Sequence, residues 1–344
     1  MRSSLLFAIS AFSAIALHIV SASTTKCAEK VYVGTSNGGL VVSTNGGKMW
    51  SRRDPIPDAR IYSIYALDQY VYVGTEVGLA ISRNGGYTWR FHDLSPGSSH
   101  MVPSIYATSD SVVATVQTSP NYCVNCAQVS FSMDYGQTWS SNRLPYALSY
   151  TPTSIYSSGN RTFVGVNSAH YASDVGLRGV GVSEDNGRTW SEIDQGQWIG
   201  SNAVTCMAGD GDALYVGYAR DSGTIGVSKD AGSTWGILRT LPLDQHAGTR
   251  SIFTNNGRVY VGTAGDGLAI SKDVWSSWTA KTIKDGLISN DISAVAASGK
   301  NIYVGAFAGL SISNDGGATW RNQTMEDGLP ADDVTAIFAH CVQY

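Results

Sequence analysis

The chain has 344 residues, a formal net charge of −4 and only 15% charged residues. It holds no Lys/Arg run, which duplex nucleic-acid binding requires, so no nucleic-acid partner is expected. Its 38 glycines and 10% aromatic content suit glycine turns joining aromatic and β-branched strands, an all-β composition.

Residues 1–22 read as a secretory signal peptide. Arg2 is the only charge, positions 5–20 are apolar, and Val20, Ser21 and Ala22 offer small residues for cleavage. The apolar run is short against the ~20 residues of a membrane-spanning helix. A secreted or periplasmic protein follows, with no membrane span after cleavage, and residues 23–344 as one domain.

From there a single turn pattern recurs, S-x-[DN]-x-G-x-[TM]-W in its regular form. It occupies 43–50, 82–89, 132–139, 183–190, 228–235, 271–278 and 313–320. Its third positions are Asn45, Asn84, Asp134, Asp185, Asp230, Asp273 and Asp315. The closing tryptophans lie 39–51 residues apart, a spacing that matches propeller blades. The second copy shows four predicted strands best: 61–66, 71–75, 78–82 and 88–91. The first-strand equivalents are 102–107, 153–157, 203–208, 250–254, 292–297 and 334–339, apolar on both faces, as expected of inner strands. The last follows the seventh turn, while the first copy lacks a first strand. The expected fold is therefore an all-β, seven-bladed β-propeller of four-stranded blades. Its ring closes when the C-terminal strand completes blade one, which leaves no free sheet edge.

The cysteines fit that closure. Cys27 and Cys341 align with the turn between strands one and two, and a Cys27–Cys341 disulfide is expected. On the chain-entropy model it would stabilise by roughly 4–5 kcal/mol. Cys123 and Cys126, in a long loop of blade three, are expected to form a local disulfide. Cys206 aligns with Ile64 inside an inner strand and reads as a buried thiol filling space.

In the repeated turn, the Asp or Asn side chain accepts from backbone N–H groups, the glycine permits positive φ, and the Trp anchors the hairpin. Copy six departs, with Trp275 in place of glycine and Ser277 in place of Thr, and a distorted turn is expected there. These residues resemble the Asp-box (bacterial neuraminidase repeat, sialidase-like) family over 23–344. The resemblance implies a propeller whose boxes are structural. Its members include sialidases, other glycosidases, sorting receptors, lectin-like proteins and a photosystem assembly factor.

A site is expected on the rim opposite those turns. There the loops between strands two and three lengthen in copy three (117–128), copy four (167–179) and copy five (218–224), and insertions on one face tend to mark the binding side. Trp198, the one tryptophan outside the turns, lies beside these loops, with His170, Tyr171, Arg178 and Arg220 nearby. Arg60 and Arg250 stand at the entrances of inner strands, within reach of the channel mouth. The resemblance would imply, for a sialidase, an Arg-Ile-Pro motif before the first turn, but no arginine lies between Lys26 and Ser43, and the nearest likeness, Asp54-Pro55-Ile56-Pro57, lacks the arginine and follows the turn. Asp291 and Asp333 are the acids a glycosidase would pair. The histidines are widely spaced, so no metal site or cofactor is expected. The leading expectation is a binding protein for carbohydrate or a protein surface, without catalysis. A glycoside hydrolase and a scaffold or assembly factor are the alternatives.

Overall fold

The computed structural model describes residues 27–53, 59–95, 100–118, 127–145, 151–167, 179–193, 203–219, 224–238, 241–242, 247–273 and 277–343. These build seven four-stranded antiparallel sheets arranged as the blades of a β-propeller. Blade two contains Ile61–Leu67, Tyr70–Thr75, Gly78–Ser82 and Arg90–His92. Blade one is completed by the chain's end: Val334–Gln343 pairs with Cys27–Thr35, from Cys27 opposite Gln343 to Thr35 opposite Val334. Seven apolar clusters make the core, several of them between neighbouring blades, such as the one joining Tyr32 and Val42 to Ile64 and Val73.

Sequence and packing meet in the second strand, where Val-Tyr-Val-Gly-Thr recurs at 31–35, 71–75 and 259–263. The tyrosines Tyr32, Tyr72 and Tyr260 are buried between blades. The glycine is needed for close approach. A Cβ on Gly74 would stand 2.2 Å from the Val102 carbonyl oxygen of blade three, and one on Gly34 would stand 2.5 Å from Ile61 of blade two. Each blade thus seats the next blade's inner strand against its own backbone. Blade three departs with Thr115, whose hydroxyl accepts from the Ser104 N–H and donates back to the Ser104 carbonyl.

The inner strands are not apolar on both faces. In Ile61–Leu67 the positions alternate between buried and half-buried, because one face borders the central channel. In blade three the inner strand is shorter than expected, Ile105–Ala107. Pro103, which has no N–H to donate, confines the preceding pairing to an isolated bridge between Met101 and Gln117. The alignment of Cys206 with Ile64 is also corrected. The strands shift register by one residue, so Cys206 faces Gly217 as Ser63 faces Gly74.

The connections from blade six to seven and from seven to one each carry a short 3-10 helix, Ile283–Asp285 and Met325–Asp327. Thr282 and Thr324 cap them in reciprocal boxes with Asp285 and Asp327, and Gly286 and Gly328 end them at φ 108° and 99°.

Candidate binding site at the channel mouth

The repeated turns are tied up in their own hydrogen bonds. In the first, the Ser43 hydroxyl accepts from the Asn45 and Gly47 N–H groups, and Asn45 Oδ1 accepts from the Lys48 and Met49 N–H groups. Where the residue is Asp, these bonds and those from the threonine hydroxyl stabilise the ionised form. They hold Asp185 and Asp230 down to about 2, and Asp134 and Asp315 well below the usual carboxylate range. The sixth turn differs: Ser271 donates to the Asp273 backbone oxygen, and Asp273 Oδ1 accepts from Ser277. Its residues 274–276 lie outside the described ones.

Around the channel, hydroxyls of the inner strands stitch each blade to the next. Thr335 donates to the Ile61 carbonyl, Ser63 to Val102, Thr153 to Val204, Thr205 to Thr249 and Ser293 to Val334. Where blades three and six lack a donor at this level, Ser104 and Ser251 accept from the Ile155 and Val295 N–H groups. The belt is continuous through all seven blades. It satisfies backbone groups that the register shifts at the strand entrances leave out of the ladders.

Nearer the rim of the repeated turns, one layer of the channel is aromatic. Phe338, Tyr65, Tyr106 and Tyr156 sit on four successive blades, with ring centroids 4.9, 4.8 and 4.9 Å apart. Burial raises all three tyrosine pKa values. Blades five to seven carry Ala208, Phe253 and Ala296 at this level. A channel cavity of about 460 Å³ reaches from this layer to the belt.

Toward the opposite rim a second cavity, about 300 Å³, is lined by Arg60, Tyr62, Thr205, Arg250, Ser293, Phe307 and Thr335. It shares Tyr62, Thr205, Arg250, Ser293 and Thr335 with the channel cavity. Arg60 and Arg250 are therefore brought together at one opening. The Arg250 guanidinium lies 2.9 Å from Asp291 and over the Phe307 ring, and both charged side chains are more than a third exposed. Arg60 is exposed, lies over Tyr62, and has no carboxylate partner among the described residues; its backbone N–H donates to Glu76.

Arg60, Asp291 and Asp333 occupy the same place in three blades, immediately before the inner strand's first residue. With Arg250 they place the charge at this level, among the described residues, in blades six, seven, one and two. Met101, Pro103, Thr151, Thr153, Ala203 and Thr205 hold the equivalent sequence positions in blades three to five. Asp333 Oδ1 is buried without a hydrogen-bond partner.

Trp198, His170, Tyr171, Arg178, Arg220, Cys123 and Cys126 lie outside the described residues. The sequence reading missed the hydroxyl belt and the aromatic layer. Their signal was present as Ser or Thr near each strand entrance and an aromatic residue three positions after Tyr62 and Pro103. Cys206 borders the channel and so is half-buried rather than fully enclosed. The protein packed around it pushes the thiol up to about 12, while Thr205 and the Gly217 and Ile252 N–H groups act against that rise.

No family model matches the sequence, and no curated protein sequence matches it. Solved structures share the fold at low identity. A structure described as YCF48 bound to D1 peptide is 19% identical, with a TM-score of 0.57, covering 79% of this chain and 84% of that one. YCF48 from Cyanidioschyzon merolae is 16% identical, with a TM-score of 0.58 over 79% and 87%. The GH74 xyloglucanase from Xanthomonas campestris is 16% identical, with a TM-score of 0.60 over 77% of this chain and 45% of the enzyme. The chain is thus similar in architecture both to a peptide-bound propeller and to part of a polysaccharide-degrading enzyme.

Proposed function

We propose that the protein is an exported binding protein of Asp-box type that takes a carbohydrate or protein ligand at the channel mouth, without catalysis. The observation that carries this reading is the funnel itself. Two guanidiniums and two aromatic faces, Tyr62 and Phe307, converge on an opening continuous with an interior cavity. Concave sites with a few convergent polar groups are the usual form of ligand sites. The peptide held by a similar propeller supports a protein ligand. The expected secretory leader, with cleavage after residue 22, belongs to the same reading. So do the Cys27–Cys341 and Cys123–Cys126 disulfides, which an oxidising compartment would preserve.

Glycan and peptide arrays probed with the wild-type protein, Trp198→Ala and Arg250→Gln would test it. Binding that falls with either substitution is the expected outcome. No binding on any array would sink it. The second reading is a glycoside hydrolase, favoured by the unpartnered carboxylate oxygen of Asp333 beside the mouth. Turnover of a polysaccharide panel, abolished by Asp333→Asn or Asp291→Asn, would replace the first reading. The third, a scaffold or assembly factor, would show as stable co-purification with one partner.

A further inference from the structure

The two joined cavities differ in chemistry from top to bottom, and that difference selects a ligand. At the mouth the available groups are donors. Arg60 is exposed and free of carboxylate partners among the described residues, and one Arg250 amino group meets Asp291. A guanidinium has five N–H donors in a planar fork, so Arg250 keeps others for a ligand. Asp291 and Asp333 do not line either cavity. Among the described residues, guanidiniums rather than carboxylates line the opening, although the rim as a whole is balanced and Glu76 stands near Arg60.

Deeper in, the belt looks polar by composition, but five of its hydroxyls already act as donors, while Ser104, Ser251 and Ser154 keep their hydrogens. Thr335, Ser63, Thr153, Thr205 and Ser293 have committed their hydrogens to backbone carbonyls. Below them lie the faces and edges of Phe338, Tyr65, Tyr106 and Tyr156, opposite the small side chains of Ala208 and Ala296. That space suits a flat apolar body, because ring–ring contact adds to the burial of apolar area. The backbone positions of Arg250 and Phe253 are three residues apart on one strand, no more than about 10 Å at 3.3 Å per residue, with a register shift at Arg250.

We infer that the channel takes an aromatic carboxylate, its head held by Arg60 and Arg250 at the mouth and its ring seated against the Tyr65–Tyr106–Tyr156–Phe338 layer. The spacing calls for an aryl group two or three bonds from the acid, as in a tyrosine or phenylpropionate unit. The inference rests on the mouth being the binding site, and it names the chemical class that fits there. The same group occurs in a free aryl acid and in the last residue of a chain ending in an aromatic amino acid.

Isothermal titration calorimetry with four probes separates these possibilities: 3-phenylpropionate, N-acetyl-tyrosine, a hexapeptide ending in tyrosine with a free carboxylate, and the same peptide amidated. The acids should bind and the amide should bind at least about tenfold more weakly, since a charge-assisted pair is lost. Arg250→Gln and Arg60→Gln should each weaken the acids about tenfold while circular dichroism and the melting temperature stay unchanged. Asp291→Asn frees the Arg250 fork and should tighten binding a few-fold. Preference for the small acids would identify a free metabolite, and preference for the acid peptide a chain end. Equal binding of acid and amide peptides, or no binding of any acid at 5–10 mM (roughly the weakest affinity worth the name), would overturn the inference. In the latter case array binding that still depends on Arg250 would leave the binding-protein reading standing, and its loss would remove both.

Discussion

Among single residues, the turn aspartates tie stability to pH most directly. Their folded pKa values lie below the ordinary carboxylate value near 4, about 2 for Asp185 and Asp230. A group whose pKa is depressed by folding contributes stability above its unfolded pKa, and loses it as pH falls through the folded one. The protein should therefore lose stability progressively between about pH 4 and pH 2. Asp185→Asn should flatten that stretch of the curve, as Asn45 and Asn84 already fill the role without titrating. Thermal melts at pH 7, 4 and 2.5 check this; an Asn variant as acid-sensitive as wild type would refute it. Cys206 stands where blades two, four and six use Ser63, Ser154 and Ser251, so Cys206→Ser should keep the melting temperature within about 2 °C, whereas Cys206→Phe, crowding Gly217 and blade six, should lower it. The raised thiol pKa further predicts negligible labelling by iodoacetamide at pH 8, measured by intact-mass spectrometry.

Secondary-structure elements show both what the sequence discloses and where it stops. Gly78–Ser82 forms the third strand with the boundaries the pattern predicts, because its alternation and the following turn signal are both local. The inner strands are less legible. Their register depends on how a neighbouring blade abuts Gly74 or Gly217, a contact that no single-copy pattern encodes, and Cys206 is misplaced by one residue for that reason. Pro103 was readable as a strand breaker. The capped turns at Thr282 and Thr324 also carried a signal, a Thr three residues before Asp-Gly, but the blade pattern masked them as plain connections. The hydroxyl belt gives the elements a testable coupling. Thr335 bonds the carbonyls of Ile61 and Gly34 at 2.6 and 3.2 Å. Thr335→Val keeps the shape and removes the donor, and should cost about 1–2 kcal/mol in urea unfolding. Thr335→Ser should recover most of it. If both variants unfold alike, the hydroxyl does not carry the coupling.

For the whole molecule, the ring's weakness is its seam. Six blades are continuous in sequence, and blade one is held shut by the ladder between Val334–Gln343 and Cys27–Thr35. The seam is reinforced from blade seven: Arg321 donates to the Gly46 and Gly47 carbonyls, Asn301 to Glu29, and the Trp50 indole to Gln323. Cys27 and Cys341 lie on the two paired strands, each two positions from the other's partner, because Cys27 faces Gln343 and Glu29 faces Cys341. They are at the end of the ladder where the other blades have a covalent turn, and no such turn joins these two strands. A bond there would replace the missing turn and close almost the entire chain into a loop. Such a loop restricts the unfolded state more than a short one would, for a total stabilisation of roughly 5 kcal/mol on the entropy model. The native ladder should survive its loss, since the strand pairing and the blade-seven contacts remain. Reduction, or Cys341→Ser, should therefore lower the melting temperature by several degrees while the circular dichroism at 20 °C stays that of the intact propeller. Peptide mapping without reductant should recover residues 27 and 341 in one linked fragment. Two free thiols in that map, with a melting temperature indifferent to reductant, would mean that the ladder alone closes the ring.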